Sequence, residues 1–411
     1  MKLSKLPIPL LVAVVIATVA AVGWATPAAA QTAGTGAMIV RAVDPDGLPL
    51  PGTTVHLVGP LGTNTQITAA DGNARILGLV PGDYDGTISL SGFKTVIREG
   101  LRVTVGRTVS VTVTMELSTV EETITVTGES PVVDVKHSTV GRLYTDDLIN
   151  MTPTASGIWA GVLDHVPGII TNEIDVGGGE SGQQAGFRAY GSVGSQNQYK
   201  VNGIPTTDPV ATSSSANAYV NIGSFEEIAV ETAAHDVEMQ GPGVMMNMVV
   251  KSGSNDWHGG VKYFYENDTL VSVNVDQRLE DAGVEEGNPN TLLSDLSLQL
   301  GGPIWRNKAW FFVDYWNFKT ERLIVGVPST DPDDTSLIDW TINGTVQLSD
   351  NNKLNVRYLT GLKFRSNRGA SATESPARAL NQDSFKYVPQ VQFQSVLGAS
   401  TFQDSRIAYL D

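Results

Sequence analysis

His235 and Glu238, spaced His-x-x-Glu, are the pair in this chain best suited to hold a hydrolytic zinc ion. A third ligand would have to be His258, the only later histidine, and it follows too closely for the spacing such sites use. His235 therefore reads as an ordinary polar residue. Asp44 and Asp46 could suggest calcium, but no third and fourth oxygen ligand follow at loop spacing, so both read as turn formers. The run Gly177-Gly178-Gly179-Glu180-Ser181-Gly182 lacks the Lys-Ser/Thr ending and the following helix that converge backbone amides on phosphate, and it reads as a turn. There is no cysteine, hence neither a thiolate metal site nor a disulfide. The expectation is a chain without catalytic residues, bound metal or cofactor: not an enzyme.

A recognition event carried by backbone is the stronger prospect. Glu122-Thr123-Ile124-Thr125-Val126-Thr127-Gly128 is short, proline-free and β-branched, and stands where two differently built segments meet. β-Branched residues prefer extended backbone, and an extended segment with free N–H and C=O groups can add itself to the edge of another protein's sheet. The alternative is that it is only the last strand of the preceding domain.

The elements that must position this strand fall into zones. Lys2 and Lys5, an apolar run from Leu10 to Val22 and Pro27-Ala28-Ala29-Ala30-Gln31 have the order of a secretory signal peptide, with cleavage expected after Ala30. Residues 31–117 alternate in short strands with Gly and Pro punctuation, as in Val109, Val111 and Val113, and predict a small β-sandwich. Residues 118–131 hold the extended heptad and a linker. Residues 132–255 are richer in Gly, Ser and Asn, with helical spacing over 145–150 and 158–166 followed by strand-like pieces.

Beyond Trp257 the period is two. Ile338, Trp340, Ile342, Val346 and Leu348 share one face, while Asp339, Thr341, Asn343, Thr345 and Gln347 share the other. The same dyad recurs in Leu296/Leu298/Leu300, Phe311/Val313/Tyr315, Leu354/Val356/Tyr358, and Val391/Phe393 against Gln390/Gln392/Gln394. Such segments suit tilted membrane strands of roughly 10 residues with lipid outside and water inside. Residues 301–307 and 349–352 read as short turns; 266–291, 323–336 and 363–387 read as long polar loops. Trp257, Trp305, Trp310, Trp316 and Trp340 crowd this zone, many near strand ends where an interfacial aromatic girdle would sit. A soluble β-sandwich would also alternate. The formal charge of −16 argues against a nucleic-acid partner, which needs clustered Lys and Arg.

Leader, sandwich, extended heptad, Gly-rich segment and dyad strands, in that order, resemble a TonB-dependent outer-membrane receptor of the Oar-like subgroup, which carries an N-terminal carboxypeptidase-regulatory-like domain. Residues 43–52 and 78–84 are similar to that domain's two turns, and residues 122–128 to the TonB box. Tyr190-Gly191, Asn202-Gly203, Glu226-Glu227 and the stretch holding Lys251 and Gly253 resemble plug motifs; residues 301–304 and 310–312 resemble the early barrel. Thr232-Ala233 replaces the Arg-Gly of iron-siderophore receptors and Asn202 stands where Asp is usual, so siderophore chemistry does not carry over.

The resemblance implies a mainly β chain: a small β-sandwich, an α+β plug over 132–255, and the first strands of an antiparallel transmembrane β-barrel over 256–411, incomplete because about seven strands are legible where about 22 are needed. It further implies an outer membrane of the Gram-negative type, with the N-terminal sandwich on the periplasmic side. The partners implied are TonB, outer-membrane lipid and an unknown small solute taken up past the plug. A surface scaffold or adhesin, with acidic loop residues Glu280, Asp281, Glu285 and Glu286 making contacts, is the alternative.

Overall fold

A computed structural model describes residues 34–118, 123–126, 139–152, 160–172, 182–184, 186–208, 215–235, 239, 241–272, 275–283, 287, 289–328, 330–398 and 401–410. The expected leader and most of the 177–182 glycine run lie outside the described residues, as do Glu122, Thr127, Gly128, Glu238, Glu285 and Glu286.

The first body is a sandwich of two sheets. One has the order β4 (Asn73–Leu79), β1 (Gly36–Val43), β7 (Thr108–Thr114), with β1 and β7 parallel. The other has the order β3 (Gly62–Ile67), β2 (Thr54–Gly59), β5 (Gly82–Ser89), β6 (Thr95–Val103), β8 (Thr123–Val126). Period-two alternation decides which side chains enter: Val109, Val111 and Val113 are buried and join Met38, Val40, Leu57, Ile76 and Tyr84 in one apolar core. Asp44 caps a turn, as its type predicted, its Oδ1 accepting from the Asp46 and Leu48 N–H groups at 3.0 and 2.8 Å.

The second body, called the plug after the sequence expectation for 132–255, is α+β. Its sheet has the order β13 (Ile204–Pro205), β12 (Gln198–Val201), β15 (Met245–Val250), β14 (Phe225–Ala233), β9 (Val140–Thr145), with β12 and β15 parallel. β10 (Ile169–Thr171) and β11 (Phe187–Ala189) form a separate ribbon. Helix α1 (Asp146–Met151) starts where the helical spacing predicted; of the second expected helix, α2 covers Ala160–Leu163. β12 and β13 meet through Asn202 and Gly203, both at positive φ (50° and 76°), the geometry that favours Asn-Gly in tight hairpins.

The third body is a sequential antiparallel wall of seven strands: β16 (His258–Asn267), β17 (Asn290–Trp305), β18 (Ala309–Arg322), β19 (Asp333–Ser349), β20 (Asn352–Arg368), β21 (Leu380–Gly398) and β22 (Thr401–Ala408). It does not close on itself. Helix α3 (Gln277–Asp281) stands in the long β16–β17 connection, which carries Glu280. No helix among the described residues is long and apolar enough to cross a membrane, which leaves strand crossing untouched.

The wall is inside-out compared with a soluble sheet. Trp340, Ile342, Val346, Leu348 and Val356 are exposed outward, whereas Asp339, Thr341, Asn343, Thr345, Asn355, Gln390 and Gln392 are buried. Two expectations need correction. Trp310 and Trp316 are fully buried on the inward face, not in a girdle, because both share the parity of Asp314 on β18; Trp257, Trp305 and Trp340 do face outward. The strands also run further than predicted: Lys363, Arg365 and Phe385, placed in a loop by their polar neighbours, belong to the β20–β21 ladder. Backbone pairing continues past the apolar band because these strand ends still satisfy each other's N–H and C=O groups.

Arginine at Ile342, on the outward face of β19, is expected to cost roughly 2–4 kcal/mol of insertion if the site lies at mid-bilayer. Heat-modifiable gel mobility after folding into lipid vesicles measures this. Equal insertion of Ile342→Arg and parent would contradict a lipid-facing wall.

Candidate functional site

Three groups of contacts converge around the plug: a seam with the wall, a contact with the sandwich, and the pairing of strand β8. Asn202 anchors the first. Its N–H donates to Met248 O at 2.8 Å, its Oδ1 accepts from Val250 N–H at 3.1 Å, and its carbonyl accepts from Arg406 Nη1 of β22 at 2.9 Å. Gly203 N–H donates to Asn247 Oδ1 at 3.1 Å.

Along the wall the contacts are mostly polar. Asn221 Nδ2 donates to Ser297 Oγ at 2.9 Å and to Asp314 Oδ2 at 3.0 Å, while its Oδ1 accepts from Gly223 N–H. Gln299 Nε2 donates to Gly223 O at 2.8 Å, and Asn343 Nδ2 to Lys251 O at 2.9 Å. Lys363 Nζ donates to Tyr219 Oη at 2.9 Å and also to Gln183. The Lys251 ammonium sits 2.8 Å from Asp146 at the start of α1, tying the end of the plug sheet to its helix. Gly253 marks the passage from plug to wall: a Cβ there would fall 2.4 Å from Phe311 O, so only glycine lets the two backbones approach. Phe312, Leu359 and Val388 add an apolar contact to the plug core.

The chemistry of such a seam is exchange. Each hydrogen bond is worth about 0.5–1.5 kcal/mol net because water can replace either partner. A plug held this way can shift against the wall at a cost far below that of unfolding its apolar core.

On the side of the short wall turns, the sandwich meets the plug. Glu227 of β14 is fully buried; its Oε2 accepts from Val105 N–H of the β6–β7 turn at 2.7 Å, and Arg102 of β6 lies 3.7 Å from its Oε1. Desolvation raises the Glu227 carboxyl to about 7, outweighing the Val105 N–H and the guanidinium charges of Arg102 and Arg107; neighbouring Glu226 adds to the rise. Glu226 is raised as well, first by burial and then by Asp146.

Strand β8 is the extended piece the sequence predicted, but one of its edges is already used. Thr123, Ile124, Thr125 and Val126 pair in parallel with Thr95, Val96, Ile97 and Arg98 of β6. Its other edge carries no strand among the described residues.

Of the residues singled out from the sequence, Asn202, Gly203, Glu226, Glu227, Lys251 and Gly253 come together around the seam. Tyr190 and Gly191 do not: they form an exposed turn after β11 at positive φ, with the Tyr190 ring against Gly168. Asn221, Ser297, Gln299, Asp314 and Arg102 were missed. The inward parity of the dyad could have nominated 297 and 299; nothing local marked Asn221 or Arg102. His235 lies 3.6 Å from Glu231, and no cluster of metal-ligating side chains exists among the described residues.

Residues 39–116 match the family model of the carboxypeptidase regulatory-like domain, and residues 249–407 that of the outer membrane beta barrel domain. The TonB-dependent transporter Oar of Myxococcus xanthus is 28% identical over 256 residues, which are 62% of this chain and 24% of that protein. The chain thus spans about a quarter of the length of this curated relative. Among solved structures, the siderophore receptor PirA from Acinetobacter baumannii is similar at a TM-score of 0.49 and 12% identity, over 66% of this chain and 39% of that one. The outer membrane transporter YddB from Escherichia coli is similar at 0.49 and 12%, over 63% and 37%.

The docked Glu227 carboxyl holds its proton more tightly than a free one near 4.5, so its support for docking is complete below that pH and is lost as pH rises through about 7. Amide exchange at Val105, corrected for intrinsic rate, should therefore quicken between about pH 5 and 8. Glu227→Gln, which keeps an acceptor but does not titrate, should flatten that trend; an unchanged trend would assign it to another group.

Proposed function

We propose that this chain, a homologue of the TonB-dependent transporter Oar, belongs to a receptor that takes up a solute across the outer membrane, gated by the plug and energised by TonB. Its wall strands lie in the outer membrane. The working division is a sandwich over 31–117, the handle and linker over 118–131, the plug over 132–255 and the wall over 256–411, with the sandwich and handle on the periplasmic side. The polar seam carries this reading: a folded plug sits inside a lipid-facing wall on contacts that water can replace.

Strand β8 is the point of attachment. It lies at the edge of the five-stranded sheet, and among the described residues no strand pairs with its outer edge, which leaves room for an added one. TonB pairing there would form a few backbone bonds at roughly 0.5–1.5 kcal/mol net each, before association costs, which suits reversible capture. Backbone pairing requires extended residues more than particular side chains. The solute is a small molecule whose class the wall described here does not select, and no covalent step is assigned to any residue.

Proline at Ile124 or Thr125 removes a donor and is expected to abolish binding of the TonB periplasmic domain in a titration, leaving vesicle insertion and energy-independent solute binding unchanged. Undiminished TonB binding by Ile124→Pro and Thr125→Pro alike would refute the handle.

A further inference from the structure

We infer that the N-terminal sandwich is a second closure of the plug–wall seam, latched to the plug through Glu227, and that tension on strand β8 is shared by this latch. The handle in this argument rests on the reading above; the latch itself rests on contacts alone.

The sandwich reaches both the plug and the turn end of the wall. Beside the Glu227 contact, Gly34 packs so close to Asn202 that a Cβ would fall 3.0 Å from its carbonyl oxygen. Gly62 stands against Asn307 of the β17–β18 turn, and Gly78 against the Phe402 ring of β22. Between these contacts lies a small chamber of about 20 Å³, walled by Thr35 and Pro81 of the sandwich, Asn202 of the plug, and Asn343 and Arg357 of the wall. Asn202 Nδ2, Asn343 Oδ1 and Arg357 Nε are buried there without a hydrogen-bond partner among the described residues. Buried groups of this kind call for water, and the chamber has room for about one, which marks it as a wet end of the seam. Because the sandwich forms one side, the chamber opens when the sandwich leaves.

Glu227 suits a contact that must both hold and let go. It is fully buried, yet among the described residues Oε2 has a single donor, Val105 N–H, and Oε1 has no hydrogen bond, only the Arg102 guanidinium at 3.7 Å. A buried carboxyl with half its acceptor capacity unused is held by position rather than by a saturated network, so separation of the two bodies rehydrates it.

The handle and the latch are joined by one strand. β6 pairs with β8 through residues 95–98, carries Arg102 near its end, and leads into the turn holding Val105. Force on β8 therefore passes through the β6 ladder to the Val105–Glu227 bond. In this arrangement the partner that grips β8 lifts the floor of the seam as it draws on the plug.

Two measurements test this without a transported solute. The first is amide exchange at Val105 in the chain folded into lipid vesicles. Glu227→Leu leaves that N–H without its acceptor and should speed exchange by roughly tenfold or more, while Glu227→Gln should stay within about twofold of the parent. The second is single-molecule pulling from a cysteine placed by Thr123→Cys in a chain with no native cysteine, the thiol being coupled to its tether, in the cross-linked variant while the other two cysteines are held as their disulfide. The parent and Glu227→Gln should show an early event that releases the sandwich, and Glu227→Leu should shift it to lower force. A disulfide joining Gly62→Cys to Asn307→Cys should remove the event until reductant is added. Exchange at Val105 indifferent to Glu227→Leu, or a force trace indifferent to both Glu227→Leu and the cross-link, overturns the latch. Loss of TonB binding to β8 is a separate failure, of the transporter reading alone.

Discussion

A strand that faces lipid on one side must place its polar residues on the other. Everything else in this molecule answers to that constraint. On β19 it turns Trp340, Ile342 and Val346 outward and buries Asp339, Thr341, Asn343 and Thr345. Buried polar groups need partners. The plug supplies many of them, through Asn221 on Ser297 and Asp314, Gly223 on Gln299, and the Lys251 carbonyl on Asn343. The wall thus dictates a polar plug surface, and the plug surface in turn holds the plug at one height in the wall.

This creates a hierarchy of strength. The sandwich core and the plug core are apolar, and parting either exposes hydrocarbon to water at roughly 25 cal/mol per Å². The seam between plug and wall, and the contact between sandwich and plug, are built mainly from hydrogen bonds that water can replace at small net cost. Under load, the bodies separate from one another before either comes apart.

Glycine and asparagine do the fine placement. Gly253 lets the plug sheet run into the wall at backbone contact, and Asn202-Gly203 reverses the chain where the sheet of the plug, the strand β22 and the polar chamber meet. Asn is one of the residue types that enter the left-handed region, and the Asn202 side chain is fixed there by a long-range bond from Val250 N–H. Asn202 offers the acceptor that an Asp would, without a charge in a fully buried site.

Much of this was legible because it is local. Period-two alternation with apolar residues on one face and amides on the other fixes which way β19, β20 and β21 face, and Asn-Gly or Asp-x-x-Gly turns fix where strands reverse. The same parity would have placed Trp310 and Trp316 inward, had it been weighed above the habit of tryptophan at interfaces. Strand ends were misjudged at Lys363 and Arg365 because polarity reports where the apolar band stops, not where backbone pairing stops. Sequence by itself determined the classes of the three bodies, their order and the extended nature of residues 123–126. Only the tertiary structure decided that Glu227 meets Val105, that Asn221 reaches Asp314, and that β8 lies beside β6: these contacts join residues far apart in the chain, and no local pattern encodes which distant surface a buried polar group will find.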